Sequence, residues 1–267
     1  MRSDACKTEG GLRTKGCSKR SISGKPLITV ITVVFSSVQS LEKTILSVIN
    51  QSYDNIEYII IDGGSTDGTV DIIEKYEGNI DYWVSEKDAG IYDAMNKAAA
   101  LAKGDWLYFL GADDRLLDSI HNIVKLMSDK STIYYGDVYM PGKHALYTGK
   151  LTGYELVYLN ICHQAIFYPA GVFKKHLYQT KYKVLADHAL NLICYGDKSF
   201  AFEYVPVLIC IYNDTGGYSF TAKDPVFDRE LKFIVRDNYS TCDYIRYRIR
   251  IFLYLSKQRV LEALNRE

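Results

Sequence analysis

The chain has 267 residues, of which 48% are hydrophobic and 24% charged, a globular composition long enough for one substantial α/β domain. Its 32 basic and 32 acidic residues cancel, which argues against a nucleic-acid-binding protein, since these usually carry a basic surplus. The six cysteines are scattered without a Cys-x-x-Cys pair, which indicates reduced thiols in a cytoplasmic protein and argues against a zinc site.

Residues 1–25 differ in texture from the rest. They contain seven Lys or Arg residues, two acids and several Gly and Ser, but no apolar stretch of the kind found in a signal peptide. We therefore expect a disordered leader over 1–25. No run of 18 or more uncharged apolar residues occurs in the chain, so a membrane-spanning helix is not predicted.

Pro26 begins a regular alternation of strands and helices. Residues 27–35 form a β-branched, almost continuously apolar run, typical of a strand buried on both faces of a parallel sheet. Apolar residues then recur at helical spacing from Leu41 to Ile49. The alternation continues with strands over 57–62, 81–85 and 106–110, and with helices over 69–76 and 91–101. This order predicts βαβ units and a mostly parallel, Rossmann-like sheet flanked by helices.

Acidic residues stand where these strands end. Asp62 ends the second strand, Asp88 follows the third, and Asp113 and Asp114 follow the fourth. Open α/β sheets bind ligands at this edge. Adjacent carboxylates suit Mg²⁺ or Mn²⁺, which also take phosphate oxygens as ligands. The alternative is that each acid caps the next helix, Asp114 a helix beginning near Leu116.

Beyond residue 118 the pattern is less regular. We expect strands over 132–140 and 163–168, a helix over 186–195 and an extended run over 200–212. No internal repeat or low-complexity linker separates this half from the first. A single domain with a less regular C-terminal half is the simplest interpretation.

Six ordered segments resemble the family 2 inverting glycosyltransferases, most closely the bacterial branch that builds O-antigen and capsular polysaccharide. They are PLITVITVV (26–34), LEKTI (41–45), NQSYD (50–54), IDGGSTDGT (61–69), SEKDAGIYDAMNK (85–97) and GDW with GADD (104–114). The resemblance is strong over 26–118 and looser over 160–215. It implies the GT-A fold over 26–220, with a nucleotide-sugar half (26–118) and an acceptor-binding half (119–220). A helical tail at 221–267 would follow.

The family pattern implies roles for matching residues of the donor site. The end of the first strand would line the nucleotide pocket with Val33, Val34 and Phe35. Asp62 would accept a hydrogen bond from the base, commonly uracil, and Asp88 would lie near the ribose or the base. No glycine-rich phosphate loop is present, so the diphosphate needs another partner.

The resemblance assigns that role to a divalent cation, Mn²⁺ or Mg²⁺. Asp113 would contact the ribose or the metal, and Asp114 would ligate the metal at the diphosphate. The sequence departs from the family pattern at two places. Phe35-Ser36-Ser37 stands where residues such as Tyr-Asn-Asn are frequent, and Gly111 stands where Asn is common. The first departure leaves the identity of the base open, and neither removes a ligand.

The family's catalytic base is an acid in the second half, and Asp187 occupies the matching place. A base must take the proton from the acceptor hydroxyl during an inverting displacement. The alternative is a carboxylate in a first helical turn that interacts only with the helix macrodipole. The neighbouring His188 either shapes the acceptor site or packs in the interior. His163 and Gln164 either line the acceptor side or merely end a loop.

The resemblance also implies the partners and the location. The donor would be a nucleotide-diphosphate sugar, with UDP-sugars first, and the acceptor a lipid-linked saccharide. The protein would be cytoplasmic, with peripheral attachment to the inner face of the plasma membrane as an option. Gly216 and Gly217 are expected in a loop over 212–220 that closes over the diphosphate.

The C-terminal segment 243–255 mixes arginines with aromatic and branched residues. It is compatible with the surface of an anionic bilayer, with a helix packed on the domain, or with an oligomer contact. On a helical wheel Arg248 falls nearly opposite Arg246 and Arg250, so no clean polar face is predicted.

Two other functions fit parts of the pattern. A sugar nucleotidyltransferase shares the α/β layout and the metal carboxylates, but it usually has a glycine-rich basic loop where this chain has residues 35–40. A catalytically inactive nucleotide-sugar-binding protein fits the donor half alone. Against it stand four intact acids, Asp62, Asp113, Asp114 and Asp187. The pattern favours an active, metal-dependent transferase of the hexosyltransferase type.

Overall fold

The computed structural model describes residues 7–147, 149–215 and 223–264, without the side chains of 255 and 258–264. Its strands are β1 (Thr8–Gly10), β2 (Ile28–Val34), β3 (Ile56–Asp62), β4 (Tyr82–Ser85), β5 (Trp106–Phe109), β6 (Arg115–Leu116), β7 (Thr132–Met140), β8 (Ala145–Tyr147), β9 (Ile166–Pro169) and β10 (Ala201–Ile211). Its helices are α1 (Leu41–Ile49), α2 (Thr69–Lys75), α3 (Ile91–Leu101), α4 (Ile120–Val124), α5 (Gly153–Leu156), α6 (Gly171–Lys175), α7 (Ala186–Gly196), α8 (Pro225–Asn238) and α9 (Thr241–Leu264). Short 3-10 turns occur at Leu12–Lys15, Glu77–Asn79 and His163–Ala165.

The centre of the sheet is the predicted parallel arrangement. Strands run in the order β4-β3-β2-β5, each parallel to its neighbour. The β-branched runs of β2 and β3 are almost wholly buried, because helices cover the faces of this part of the sheet. Val34 pairs with Asp62, and Asp62 pairs with Ser85, so the carboxyl ends of three strands lie level at one edge. The predicted fold class, an α/β fold built on a mostly parallel sheet, is confirmed.

The second half continues the same sheet in a mixed arrangement. Strand β9 pairs antiparallel with both β5 and β7, while β10 runs parallel to β7 and antiparallel to β6. The β7–β10 register shifts between Tyr204 and Leu208, around Pro206, which has no N–H to donate to the ladder. The strand expected over 163–168 begins only at Ile166, since 163–165 form a 3-10 turn. One sheet therefore joins the two halves.

The expectation of a disordered leader over 1–25 is wrong for its described part. Strand β1 pairs antiparallel with β4, and the 3-10 turn after it hydrogen-bonds to the backbone at Ile80 and Asp81. Gly10 allows this close approach, because a β-carbon there would lie 2.6 Å from Trp83 Nε1. The leader's cations then reach two buried acids, as Arg13 pairs with Glu57 and Lys19 Nζ lies 2.9 Å from Asp81 Oδ2.

This segment should contribute measurably to stability. Glu57 is fully buried, and its remaining hydrogen bonds come from Thr29 Oγ1 at 2.7 Å and Lys103 N at 2.8 Å. Arg13→Ala would leave that carboxylate buried without a cation, at an expected cost of about 3–5 kcal/mol in the free energy of unfolding. Lys15→Ala is the matched control, since Lys15 pairs with Glu77 on the surface and should contribute less than about 1 kcal/mol. Equal urea midpoints for the two variants would contradict this role of Arg13.

The described C-terminal residues form the helices α8 and α9. Helix α8 packs on α7, where Phe227 contacts the rings of Tyr182 and His188, and α9 follows α8. Among the described helices, none combines the length and hydropathy of a bilayer-spanning segment. The limits proposed for the domain and its halves stay a prediction, and Gly216 and Gly217 lie outside the described residues.

Candidate functional site

Loops from the carboxyl ends of β2, β3 and β4 lie side by side at one edge of the sheet and form one end of the candidate site. A β-carbon placed on Gly63, just after β3, would lie 3.3 Å from Phe35 Cδ2 and 2.8 Å from Asp88 Oδ2. Phe35 follows β2 and is 66% exposed, whereas Val34 is buried and Val33 half-buried. Asp88 accepts a hydrogen bond from Gly90 N at 2.8 Å. The Phe35 ring and the Asp88 carboxylate thus lie on either side of Gly63. Because glycine has no side chain, the space between them is not filled.

Asp62 has a different environment from the one predicted. It is fully buried, and its Oδ2 accepts hydrogen bonds from Gly64 N at 3.0 Å, Ser65 N at 2.9 Å and Ser85 Oγ at 2.6 Å. Its Oδ1 accepts from Ser65 Oγ. Both oxygens therefore have hydrogen-bond donors within the protein. Asp62 instead holds the turn after β3 against β4, and the predicted contact with the base remains untested.

Asp113 and Asp114, adjacent in sequence, differ sharply in exposure. Asp114 is 1% exposed, with Oδ1 2.8 Å from Asn213 N and Oδ2 2.7 Å from Gln164 Nε2. Burial raises the pKa of Asp114 to about 6, and the negative charge of Asp113 adds to the rise, while the Asn213 and Gln164 hydrogen bonds oppose it. Asp113 is exposed, and its Oδ2 accepts from Asn213 Nδ2 at 2.9 Å.

The neighbouring backbone explains one departure from the family pattern. A β-carbon on Gly111 would lie 2.4 Å from Asp114 Oδ2, so a larger residue there would displace the buried carboxylate. The alternative role of Asp114, capping a helix near Leu116, is wrong, because Arg115–Leu116 is strand β6 and the next helix begins at Ile120.

These acids fit a divalent cation that is bound together with a diphosphate. Among the described residues, no group of three or more His, Cys, Asp or Glu side chains is arranged to hold a metal. Mg²⁺ and Mn²⁺ sites often use only one or two protein carboxylates and take phosphate oxygens for the rest. The exposed carboxylate of Asp113 suits such a ligand. Asp114 would have to give up a buried hydrogen bond to serve as one.

Asp187 lies in the first turn of α7, about 6% exposed, and is held from three directions. Tyr92 OH, which donates to the Val184 carbonyl, lies 3.2 Å from its Oδ1. Asn160 Nδ2 donates to its Oδ2 at 2.8 Å, and His163 Nδ1 lies 3.6 Å from Oδ2. Burial by itself would raise the pKa of Asp187, but the hydrogen bond and charge of His163, with the charge of His188, lower it. The carboxylate is therefore ionised at neutral pH, which a general base requires.

A chain of buried hydrogen bonds fixes Asn160 behind Asp187. Tyr168 OH donates to Asn191 Oδ1 at 2.7 Å, and Asn191 Nδ2 donates to Asn160 Oδ1 at 3.0 Å. Asn160 is then oriented with its amide N–H toward the carboxylate. The chain joins β9, α7 and the loop after α5, so Asp187 is anchored to the sheet rather than lying on an isolated helix end.

Two consecutive side chains link Asp187 to the buried Asp114. On the 3-10 turn His163–Ala165, His163 contacts Asp187 while Gln164 donates to Asp114. Tyr108 OH donates to the Gln164 carbonyl at 2.8 Å and ties the turn to β5. The His163–Ala165 turn therefore holds Asp187 and Asp114 in a fixed position relative to each other. His188, by contrast, packs in the interior, with Nε2 2.7 Å from the Leu156 carbonyl oxygen.

Sequence reasoning named Gln164 as a candidate for the acceptor side, but it missed Asn160 and Asn213. Asn160 and Asn213 lie in loops without a local motif, so only the tertiary fold identifies them. Gln164 and Tyr92 lie inside segments that the resemblance covers. Their place in those segments was the one indication in the sequence that they belong to the site.

Comparison with known proteins shows the family to which the sequence is similar. Residues 29–190 match the family model described as glycosyl transferase family 2. The "PGL/p-HBAD biosynthesis glycosyltransferase" of Mycobacterium bovis BCG is 34% identical over 220 residues, which cover 79% of this chain and 86% of that protein.

Two solved structures share the fold at low sequence identity. S. aureus TarS 1-349 in complex with UDP-GlcNAc gives a TM-score of 0.65 at 15% identity, covering 79% of this chain and 64% of that chain. This chain thus spans slightly less than two thirds of that TarS chain. The mannosyltransferase PcManGT from Pyrobaculum calidifontis, in complex with GDP-Man and Mn²⁺, gives a TM-score of 0.57 at 15% identity. The match covers 90% of this chain and 83% of that chain.

Proposed function

Since this chain belongs to glycosyl transferase family 2, we propose that it transfers a hexosyl group from a nucleoside diphosphate donor to an acceptor hydroxyl. The observation that supports this most directly is the His163–Gln164 turn, which joins a buried, ionised carboxylate to the pair of adjacent acids. Base and diphosphate site are thereby held at one cleft, as a single displacement between two substrates needs.

The nucleobase lies at Phe35 and Asp88 in this proposal. The exposed Phe35 ring can stack on a base, and the Asp88 carboxylate can accept a hydrogen bond from a base N–H or a ribose hydroxyl. Val33 and Val34 end the strand that leads into Phe35, and Asp62 holds the turn that carries Gly63. Uridine is the first base to test, because the TarS structure holds UDP-GlcNAc.

The diphosphate lies beside Asp113, which would hold Mg²⁺ or Mn²⁺ with the phosphate oxygens. When bound, the ion supplies charge neutralisation for the leaving diphosphate. Asp114 acts through its neighbours, since its hydrogen bonds hold Asn213 and Gln164 in place. Asn213 in turn donates to Asp113 and fixes the orientation of that carboxylate.

The transfer step is assigned to Asp187. The acceptor oxygen attacks the anomeric carbon, its proton passes to a carboxylate oxygen of Asp187, and the bond from that carbon to the diphosphate oxygen breaks. One displacement of this kind inverts the anomeric centre. The Tyr92, Asn160 and His163 contacts fix the carboxylate in place for that proton, and this preorganisation favours the transition state.

The acceptor proposed is a lipid-linked saccharide used in cell-surface polysaccharide synthesis, at the inner face of the plasma membrane. The M. bovis relative carries a name from PGL/p-HBAD biosynthesis, which supports a cell-envelope role without fixing the acceptor here.

Nucleoside diphosphate release tests the proposal. UDP-glucose, UDP-GlcNAc, UDP-galactose and GDP-mannose are each incubated with the protein and Mn²⁺, with and without EDTA, and water serves as the minimal acceptor. We expect release from one donor class and its loss in EDTA. Release of pyrophosphate from UTP and a sugar 1-phosphate, with no turnover of any donor, would instead identify a nucleotidyltransferase.

A further inference from the structure

Helix α9 carries a stripe of apolar side chains that the protein leaves exposed. Ile245 is 51% exposed, Ile249 54%, Phe252 69% and Leu253 61%. Their spacing of four, three and one residues places them within an arc of roughly 100° on one face of the helix. Isolated exposed apolar residues are common on proteins, but a continuous stripe on one helix face marks an interaction surface.

The opposite face of α9 anchors the helix to the domain. Tyr247 is 5% exposed, and its ring lies 6.1 Å from that of Tyr158, while Ile251 packs against the core from the same side. The apolar stripe therefore points away from the protein, and its exposure follows from the way the helix is packed.

Cations flank the stripe on both sides. Arg246 lies with its guanidinium 4.2 Å from the ring centroid of Tyr154, and Arg250 with its own 3.9 Å from that of Tyr158. Together with Lys257 they line a groove of about 500 Å³ beside the stripe, and none of the described residues that line it is acidic. Arg248 borders the other side. Arg248 therefore does not break an amphipathic face, as the helical wheel suggested, because the face is apolar at its centre and basic at both borders.

We propose that this face of α9 docks on an anionic lipid bilayer. The stripe would enter the boundary between headgroups and acyl chains, and the flanking arginines would reach the phosphate groups. Residues 243–257 carry four cationic side chains and one acidic one, which complements a negative surface. A second copy of this chain is a poorer occupant, since a two-fold contact would set the same cations against each other.

The position of α9 relative to the cleft gives this docking a consequence. The tyrosine rings under Arg246 and Arg250 lie on and just after α5, and the carbonyl of Leu156 in α5 accepts a hydrogen bond from His188, next to Asp187. A bilayer on α9 would thus lie on the acceptor side of the cleft. This consequence rests on the proposed function, whereas the docking itself does not.

Vesicle co-sedimentation of the full chain tests the docking. Vesicles of phosphatidylcholine alone are compared with vesicles that also contain phosphatidylglycerol, at low and high salt. We expect binding at least about tenfold stronger to the anionic vesicles and weakened by salt. The double variant R246E/R250E and the double variant I249S/F252S should each bind at least about tenfold more weakly.

The matched control is the double variant K43E/K125E, which makes the same charge change at exposed positions on α1 and just after α4. It should bind nearly as well as the parent. Absence of binding to anionic vesicles, or equal binding by the I249S/F252S variant, would overturn the proposal. The proposal would also be overturned if the parent chain did not bind vesicles but dimerised at higher concentration, and if the I249S/F252S variant did not dimerise. Donor binding does not enter this test, so the proposed function can stand or fall separately.

Discussion

Replacing Asp187 by asparagine is expected to lower kcat for sugar transfer by about 10²–10⁴-fold while leaving donor affinity unchanged. The amide preserves the volume of the side chain but cannot take up the acceptor's proton. Asn160 can still donate to the amide oxygen, and Tyr92 OH can accept from the amide N–H while it donates to the Val184 carbonyl, so the helix start should remain in place. Nucleoside diphosphate release at saturating donor measures kcat, and a titration with the free diphosphate measures binding.

Asp197→Asn is the control, because Asp197 lies at the other end of α7 and pairs with Lys175 and His176. That variant changes the other end of the same helix and leaves Asp187 and its partners unchanged, so it should retain the parental kcat. A parental kcat in Asp187→Asn would remove Asp187 as the base. It would leave the inactive binding protein and a different base as the remaining interpretations.

Substitutions of the two adjacent acids, Asp113 and Asp114, should differ in their effects on metal-dependent UDP binding and on the free energy of unfolding. Asp113→Asn removes the exposed carboxylate, and we expect Mn²⁺-dependent affinity for UDP to fall about tenfold or more. The free energy of unfolding should change by less than about 0.5 kcal/mol, since the residue is on the surface. Asp114→Asn should instead destabilise the fold by about 1–3 kcal/mol, because its amide N–H₂ would face a buried donor of Gln164 or Asn213.

Calorimetric titration of UDP with and without Mn²⁺, together with urea unfolding, distinguishes the two variants. Asp71→Asn is the control for charge, since Asp71 is exposed on α2, away from the adjacent acids. Loss of the Mn²⁺ effect in Asp114→Asn, with its retention in Asp113→Asn, would assign the metal to the buried acid. Asp113 would then have no role beyond its contact with Asn213.

Local sequence patterns account well for the donor half. The β-branched runs of β2 and β3 predict buried parallel strands, and the level ends of such strands bring Phe35, Asp88 and Asp113 to one edge. Asp62 shows how far local chemistry reaches. An aspartate before Gly-Gly-Ser can accept hydrogen bonds from the N–H groups of the following turn, and Asp62 does so here, while its contact with a base stays a prediction.

The remainder depends on contacts between residues that are distant in the chain. Arg13 and Glu57 are 44 residues apart, and the leader folds because it neutralises acids that the sheet buries. Asn213 and Asp114 are 99 residues apart, and both Asn160 and Asn213 lie in loops. Neither periodicity nor capping rules describe such pairs, so the amide partners of the site emerged only with the fold.

Thermal unfolding with nucleotide sugars, in Mn²⁺ and in EDTA, is the most direct test of metal-dependent donor binding. A ligand that binds only the folded state stabilises that state by mass action. At a donor concentration of about 100 Kd the stabilisation should be about 2.7 kcal/mol, or roughly 5 °C or more in Tm. We expect such a shift for at least one nucleoside diphosphate sugar in Mn²⁺ and a much smaller one in EDTA. An unchanged Tm with every donor in both conditions would contradict this expectation.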